Sequence, residues 1–173
     1  MRFPTGFVGH GAPTNALNDE RGATWHRWSE ALPEPSAILS ISAHFEQAPP
    51  SLGATTTAPL IYDFWGFPEP LYQIAYEVPG APQVADRVEA LLAAETTVAR
   101  EEDRGLDHGT WVPLLHMYPA ADVPVVQLSL PWTNDPHKMF ELGRRLAPLR
   151  DEGVFILGSG NLVHNLRAAD WSN

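Results

Sequence analysis

Four short runs of nearly unbroken apolar or small residues, at 3–8, 37–43, 123–130 and 154–157, set the strongest limit on how this chain can fold. None alternates polar with apolar residues, as a half-solvated strand does. They read as strands covered on both faces, the pattern of a parallel sheet held between helices. A weaker strand candidate lies at 72–78. Between the runs the spacing turns helical. Val84, Val88, Leu91 and Leu92 recur at helical intervals after Pro82, and Met139, Leu142, Leu146 and Leu149 do the same. Asp135 is placed as the N-cap of that second helix, with Pro136 at its first position. Trp25, Trp28 and Leu32 mark a helix after the first strand. Thr110 is placed as the cap of a short helix through Met117, with Pro113 in its first turn. Strands alternating with helices predict an α/β fold, a mostly parallel central sheet flanked by helices, in one domain over 1–173. The stretch 48–70 is rich in proline and aromatics and predicts shaped loops.

Composition narrows the chemistry. The 44% hydrophobic content supplies a core, and 18% charged residues do not suit a disordered chain. A formal net charge of −10 repels phosphate backbones and argues against nucleic-acid partners. The absence of cysteine removes disulfides, thiolate metal sites and cysteine nucleophiles. Histidine and carboxylate remain as the strong metal ligands. Neither a secretory signal nor a membrane-length apolar segment is visible, so the expected setting is cytoplasmic and away from membranes.

The seven histidines carry the functional signal. His10 follows the first strand in Gly9-His10-Gly11-Ala12-Pro13, and His44 closes the second in Ser42-Ala43-His44-Phe45. His164 lies a few residues past the fourth, after Gly158-Ser159-Gly160-Asn161. In an open α/β sheet the carboxyl ends of the strands form the ligand crevice. Imidazoles leaving three such ends can share one metal ion, with His10, His44 and His164 as its ligands. The plainer reading makes each a partly buried or surface residue. His108, in Gly105-Leu106-Asp107-His108-Gly109, reads either as an acid/base group beside the metal or as a loop residue with Asp107 as a cap. Asp107 is a candidate to orient a ring, although an immediate neighbour can point elsewhere. His26, His116 and His137 read as structural. Gly158-Ser159-Gly160 has valine at 163 where a dinucleotide loop needs glycine, and neither a phosphate loop nor a nucleophile elbow is present. The run from Tyr62 to Pro68 reads equally as the wall of an aromatic pocket and as core beneath a loop.

Taken together, these segments resemble the class III extradiol ring-cleavage dioxygenases of the LigB type, in particular the DOPA 4,5-dioxygenase branch. The likeness rests on the motifs around His10, His44 and His108. It also rests on Ile61-Tyr62-Asp63-Phe64-Trp65-Gly66-Phe67-Pro68, Val125-Val126-Gln127-Leu128-Ser129-Leu130 and Gly158-Ser159-Gly160-Asn161-Leu162-Val163-His164. The resemblance implies one non-haem ion, Fe(II) or Zn(II), held by His10 and His44. It implies His164 as a further ligand or an acid/base group, and His108 as the histidine that handles substrate and protons. The implied reaction inserts O₂ into a catechol-type ring and opens it, so the expected partners are a small aromatic diol and O₂; a homo-oligomer is left open. Phe45 stands where relatives commonly carry tryptophan. Relatives also continue past Asn173 and carry their last metal ligand there. The sequence is therefore expected to be an incomplete catalytic domain, with a metal site short of one ligand and an exposed apolar face. Two rival classes share the same histidines: a zinc hydrolase, and a metal-binding or interaction protein without catalysis.

Overall fold

The structure is a computed structural model and describes residues 2–133 and 135–161. In chain order the elements are β1 (Thr5–Gly9), a 3₁₀ turn (Pro13–Leu17), α1 (Asp19–Glu30), β2 (Ala37–Ser42), β3 (Glu46–Gln47) and β4 (Ser51–Leu52). A second 3₁₀ turn (Glu69–Gln73) follows, then α2 (Pro82–Leu92), β5 (Ala99–Arg100), α3 (His108–Met117), β6 (Val125–Gln127) and β7 (Leu130–Pro131). The described chain ends with α4 (Pro136–Leu146), a third 3₁₀ turn (Ala147–Glu152) and β8 (Val154–Gly160). All four apolar runs enter one sheet in the order β1-β8-β2-β6, and every pairing in it is parallel. The chain is thus a mixed α/β fold with a central parallel sheet flanked by helices.

The sheet has two dry faces because its strands are apolar at both parities. Ile38, Val125, Phe155 and Leu157 point into a core shared with Trp25, Trp111 and Leu114. Their neighbours Leu39, Val126 and Val154 point the other way, onto Val88 and Leu92 of α2 and Leu146 of α4. Cover fails at the β1 edge, where Phe7 is 59% exposed. The helices on the second face begin as expected: Asp135 accepts from the His137 amide at 2.9 Å, and Pro136 occupies the first turn.

Three expectations need correction. The segment 72–78 is not a strand: it leaves the 3₁₀ turn as extended chain and packs on α3. Tyr76 Oη donates there to the carbonyls of Leu114 (3.0 Å) and Tyr118 (2.9 Å). Satisfying the last turn of a helix takes the place of joining the sheet. Second, Thr110 does not cap α3. The cap position is Asp107, whose carbonyl accepts from the amides of Thr110 and Trp111, both at 2.9 Å, and Pro113 lies inside the helix rather than in its first turn. Thr110 Oγ1 instead meets Ser40 Oγ at 2.8 Å and pins the helix to β2. Third, β8 continues through Gly158-Ser159-Gly160, so Ser159 sits in register with Val8 and Ser42.

Parallel pairing fixes where the site forms. The carboxyl ends of β1, β8 and β2 lie at one edge of the sheet, with β8 in the middle. The ends of β1 and β2 are then two strand spacings apart, about 10 Å, a gap that two inward-facing imidazoles can close.

Candidate metal centre

His10 is the first residue after β1 and His44 the second after β2, and both turn inward over the end of β8. The amino end of α3 reaches the same edge and brings His108. The three rings converge: centroid separations are 5.0 Å for His10–His44, 5.2 Å for His10–His108 and 4.1 Å for His44–His108. One ring nitrogen of each lies within 4.8 Å of the others, a spacing that fits one shared metal ion. His10 and His108 are buried, while His44 is a quarter exposed and opens the site to solvent.

The hydrogen bonds decide which nitrogens can act as ligands. Ser159 donates its hydroxyl proton to the Gly109 carbonyl, so the same oxygen must accept from His10 Nδ1 at 2.8 Å. Asp63 Oδ1 accepts from the His108 amide at 3.0 Å and from His108 Nδ1 at 2.8 Å. Its other oxygen lies 3.4 Å from His44 Nδ1. An Nδ1–H directed at an oxygen leaves the lone pair on Nε2. With Nδ1–H on both rings, the Nε2 atoms of His10 and His44, which lie 3.1 Å apart, both present lone pairs. Two lone pairs repel at that distance unless a cation lies between them, and imidazoles oriented by outer oxygens are the usual donor set of a protein metal site. The residues fit a metal ion on the chemistry of their donor atoms.

Asp63 is the residue that sequence reasoning missed. Its carboxylate ties two of the three histidines together. Burial alone would raise its pKa, but the hydrogen bonds from His108 and the nearby charge of His108 and His44 hold it below the ordinary aspartate range. The loop that delivers it is fixed at Ile61, whose amide donates to the Leu106 carbonyl at 2.8 Å and whose carbonyl accepts from Trp111 Nε1 at 3.2 Å. Phe64 and Tyr62 pack around Trp111 in the core, and Phe64 also sets its ring edge-on to His108 at 5.8 Å. Within the aromatic run Phe64 is core, Tyr62 and Phe67 are half-buried against it, and Trp65 is exposed. Asp107 points away from the rings: its carboxylate accepts from Gln127 Nε2 and pairs with Arg104 at 3.5 Å.

His164, the remaining expected site residue, lies outside the described residues. His116 is structural as read, packed beneath Gly22 and bonded to the Asn15 carbonyl at 3.0 Å. His26 faces Glu30 on the outer side of α1.

Gly109 is required by close approach. A Cβ there would meet Ser42 Oγ, and would lie 3.1 Å from both His10 Cε1 and His44 Cδ2. Gly109→Ala is expected to spread the rings, weakening Co(II) binding by about 10-fold or more, the low end for losing an orienting partner. Titration followed by cobalt absorbance checks it.

An α/β domain with three imidazoles gathered at the carboxyl ends of its parallel strands has a donor set that could hold one metal ion. Comparison with known proteins supplies the family. A match to the LigB family, the catalytic LigB subunit of aromatic ring-opening dioxygenase, runs over residues 15–172, and the chain belongs to that family. It is 44% identical over 171 residues to a 4,5-DOPA dioxygenase extradiol of Escherichia coli K12, covering 98% of this chain and 63% of the relative. A protein of the same name from Beta vulgaris is 46% identical over 166 residues, with 92% and 62% covered. The crystal structure of an uncharacterized Escherichia coli K12 protein superposes with a TM-score of 0.83 at 40% identity, covering 99% of this chain and 65% of that one. The chain therefore spans a little under two thirds of the length of these relatives.

Proposed function

We propose that this protein is the catalytic domain of an extradiol dioxygenase that opens a catechol-type ring with O₂, taking DOPA or a related diol. The observation that carries the reading is the convergence of His10, His44 and His108 over the end of β8, in a chain of the LigB family. His10 and His44 are assigned as ligands of one metal ion, with His164 as a further ligand or proton-transfer group. Iron is the preferred metal, because both oxygen atoms of O₂ must be reduced and zinc has no redox chemistry. When bound, the ion would bring the diol and O₂ together and let electron density pass between them.

The protein side of the reaction falls to His108. Its Nδ1–H is held by Asp63, so Nε2 accepts the proton that the catechol hydroxyl gives up. Asp63 stabilises the imidazolium that results, as the carboxylate behind a catalytic imidazole does. His108 then returns the proton as the ring opens beside one hydroxyl, and both atoms of O₂ end in a muconic semialdehyde.

The test is anaerobic reconstitution of the whole protein with Fe(II), followed by O₂ uptake with L-DOPA and simple catechols. One O₂ consumed per diol, with a yellow product, is the expected result. Neither uptake nor colour with any catechol would sink the reading. Ester or amide cleavage by the zinc form without O₂ would move it to a hydrolase.

A further inference from the structure

The mechanism leaves a proline inside α3 and a buried serine on β8 without an explanation. Pro113 is the sixth residue of α3. In an α-helix the amide of residue 113 would bond to the carbonyl of residue 109, and proline has no amide proton to give. The Gly109 carbonyl is left outside the helix ladder, in the interior, where an acceptor needs a donor. Ser159 supplies that donor through its hydroxyl. Ser159 is 3% exposed and comes from the strand between the two that deliver His10 and His44. Its only proton is then committed, and its oxygen can only accept from His10 Nδ1.

We infer that Pro113 and Ser159 are positioning residues for His10, acting as a relay that fixes its Nδ1–H tautomer. The chain of contacts runs from Pro113, through the Gly109 carbonyl and the Ser159 hydroxyl, to the His10 ring. Its output is a lone pair on His10 Nε2, which lies 3.1 Å from His44 Nε2. Without the relay the Nδ1–H form of His10 loses the support of Ser159, and a proton on Nε2 would compete with the metal. This inference rests on the metal-centre reading for its consequence, but the tautomer itself is a property of the metal-free protein.

The proline separates the relay from ordinary stabilisation. Proline inside a helix is unfavourable relative to alanine, because it removes a ladder hydrogen bond and crowds the preceding turn. Pro113→Ala restores an amide that shares the Gly109 carbonyl with Ser159 and loosens its hold on the hydroxyl proton. The relay then predicts opposite signs: a thermal midpoint equal to or above wild type, and weaker metal binding. A purely structural role for Pro113 predicts that the two move together.

The experiment uses ¹⁵N-histidine labelling of the whole metal-free protein near neutral pH, together with Co(II) titration by visible absorbance. Wild type is expected to show His10 as the Nδ1–H tautomer. Ser159→Ala is expected to mix the tautomers, weaken Co(II) binding about 10-fold or more and change the cobalt spectrum, with Ser159→Thr recovering most of the loss. If Ser159→Ala does not fold, Pro113→Ala carries the same readings on a helix made stronger rather than weaker. An unchanged tautomer and unchanged affinity in either variant overturns that residue's place in the relay. Affinity that falls only in step with lost stability, with no recovery in Ser159→Thr, overturns the relay as a whole. A wild type that shows the Nδ1–H tautomer yet binds no Co(II) would remove the metal centre and leave the relay standing. Wild type binding Co(II) with His10 in the Nε2–H form would do the reverse.

Discussion

Replacing His10 or His44 by alanine is expected to leave a folded chain that no longer retains a stoichiometric metal ion, whereas His108→Asn keeps the ion and loses turnover. The three rings meet at one point, so proximity alone does not separate their roles. Their outer partners do. His10 is held by a neutral hydroxyl, and His44 lies 3.4 Å from Asp63 at the limit of a direct contact. His108 is gripped at 2.8 Å by a carboxylate that also takes its backbone amide. A charge held that closely favours an imidazole that gains and loses a proton. Loss of a ligand costs more than the 10–100-fold in affinity associated with an outer partner. Loss of a proton-transfer group costs about 10²–10⁴-fold in kcat with the metal still bound. Metal analysis after gel filtration, paired with kcat on a catechol, reads both. If His108→Asn loses its ion as completely as His10→Ala, His108 is a ligand and the proton passes to another group.

Much of this was legible in the amino-acid order because the strands are the most regular part of the chain. Runs apolar at both parities specify a doubly covered parallel sheet, and parallel strands put their carboxyl ends together, so His10 and His44 could be paired from opposite sides of α1. The α3 boundary was not legible. Asp107 and Thr110 are both good cap residues; Asp107 takes the cap position through its carbonyl, while its side chain turns to Gln127 and Arg104. Asp63 was hidden for a related reason. It lies 45 residues from His108 within an aromatic run, and local spacing carries no trace of a contact closed by folding. Ser159 looked like a failed loop motif because its meaning lies in register, opposite Val8 and Ser42, and register is set by the sheet rather than by neighbouring residues.

Asp63→Asn is the sharpest single change available at the site, since it preserves shape and alters only the charge and half of the hydrogen-bonding capacity. The carboxylate accepts from His108 Nδ1 and faces His44 Nδ1. An amide can accept on one side only and must present N–H on the other. At least one ring is then driven to the opposite tautomer, with its proton on Nε2, where it can neither bind metal nor take a proton. The function that falls depends on which ring loses its acceptor: kcat by about 10²–10⁴-fold if it is His108, and metal affinity by about 10–100-fold if it is His44. The pH dependence has a definite sign. A carboxyl whose pKa is depressed by folding contributes stability that is complete above the ordinary aspartate range and is lost as pH falls through its lowered value. The substituted amide does not titrate, so the acid limb of the stability profile should flatten in the variant, while the two profiles run parallel from neutral pH upward. Urea unfolding of the metal-free protein across the acid range measures this apart from activity. An acid limb as steep as wild type, with kcat and metal affinity unchanged, would show that Asp63 holds neither histidine.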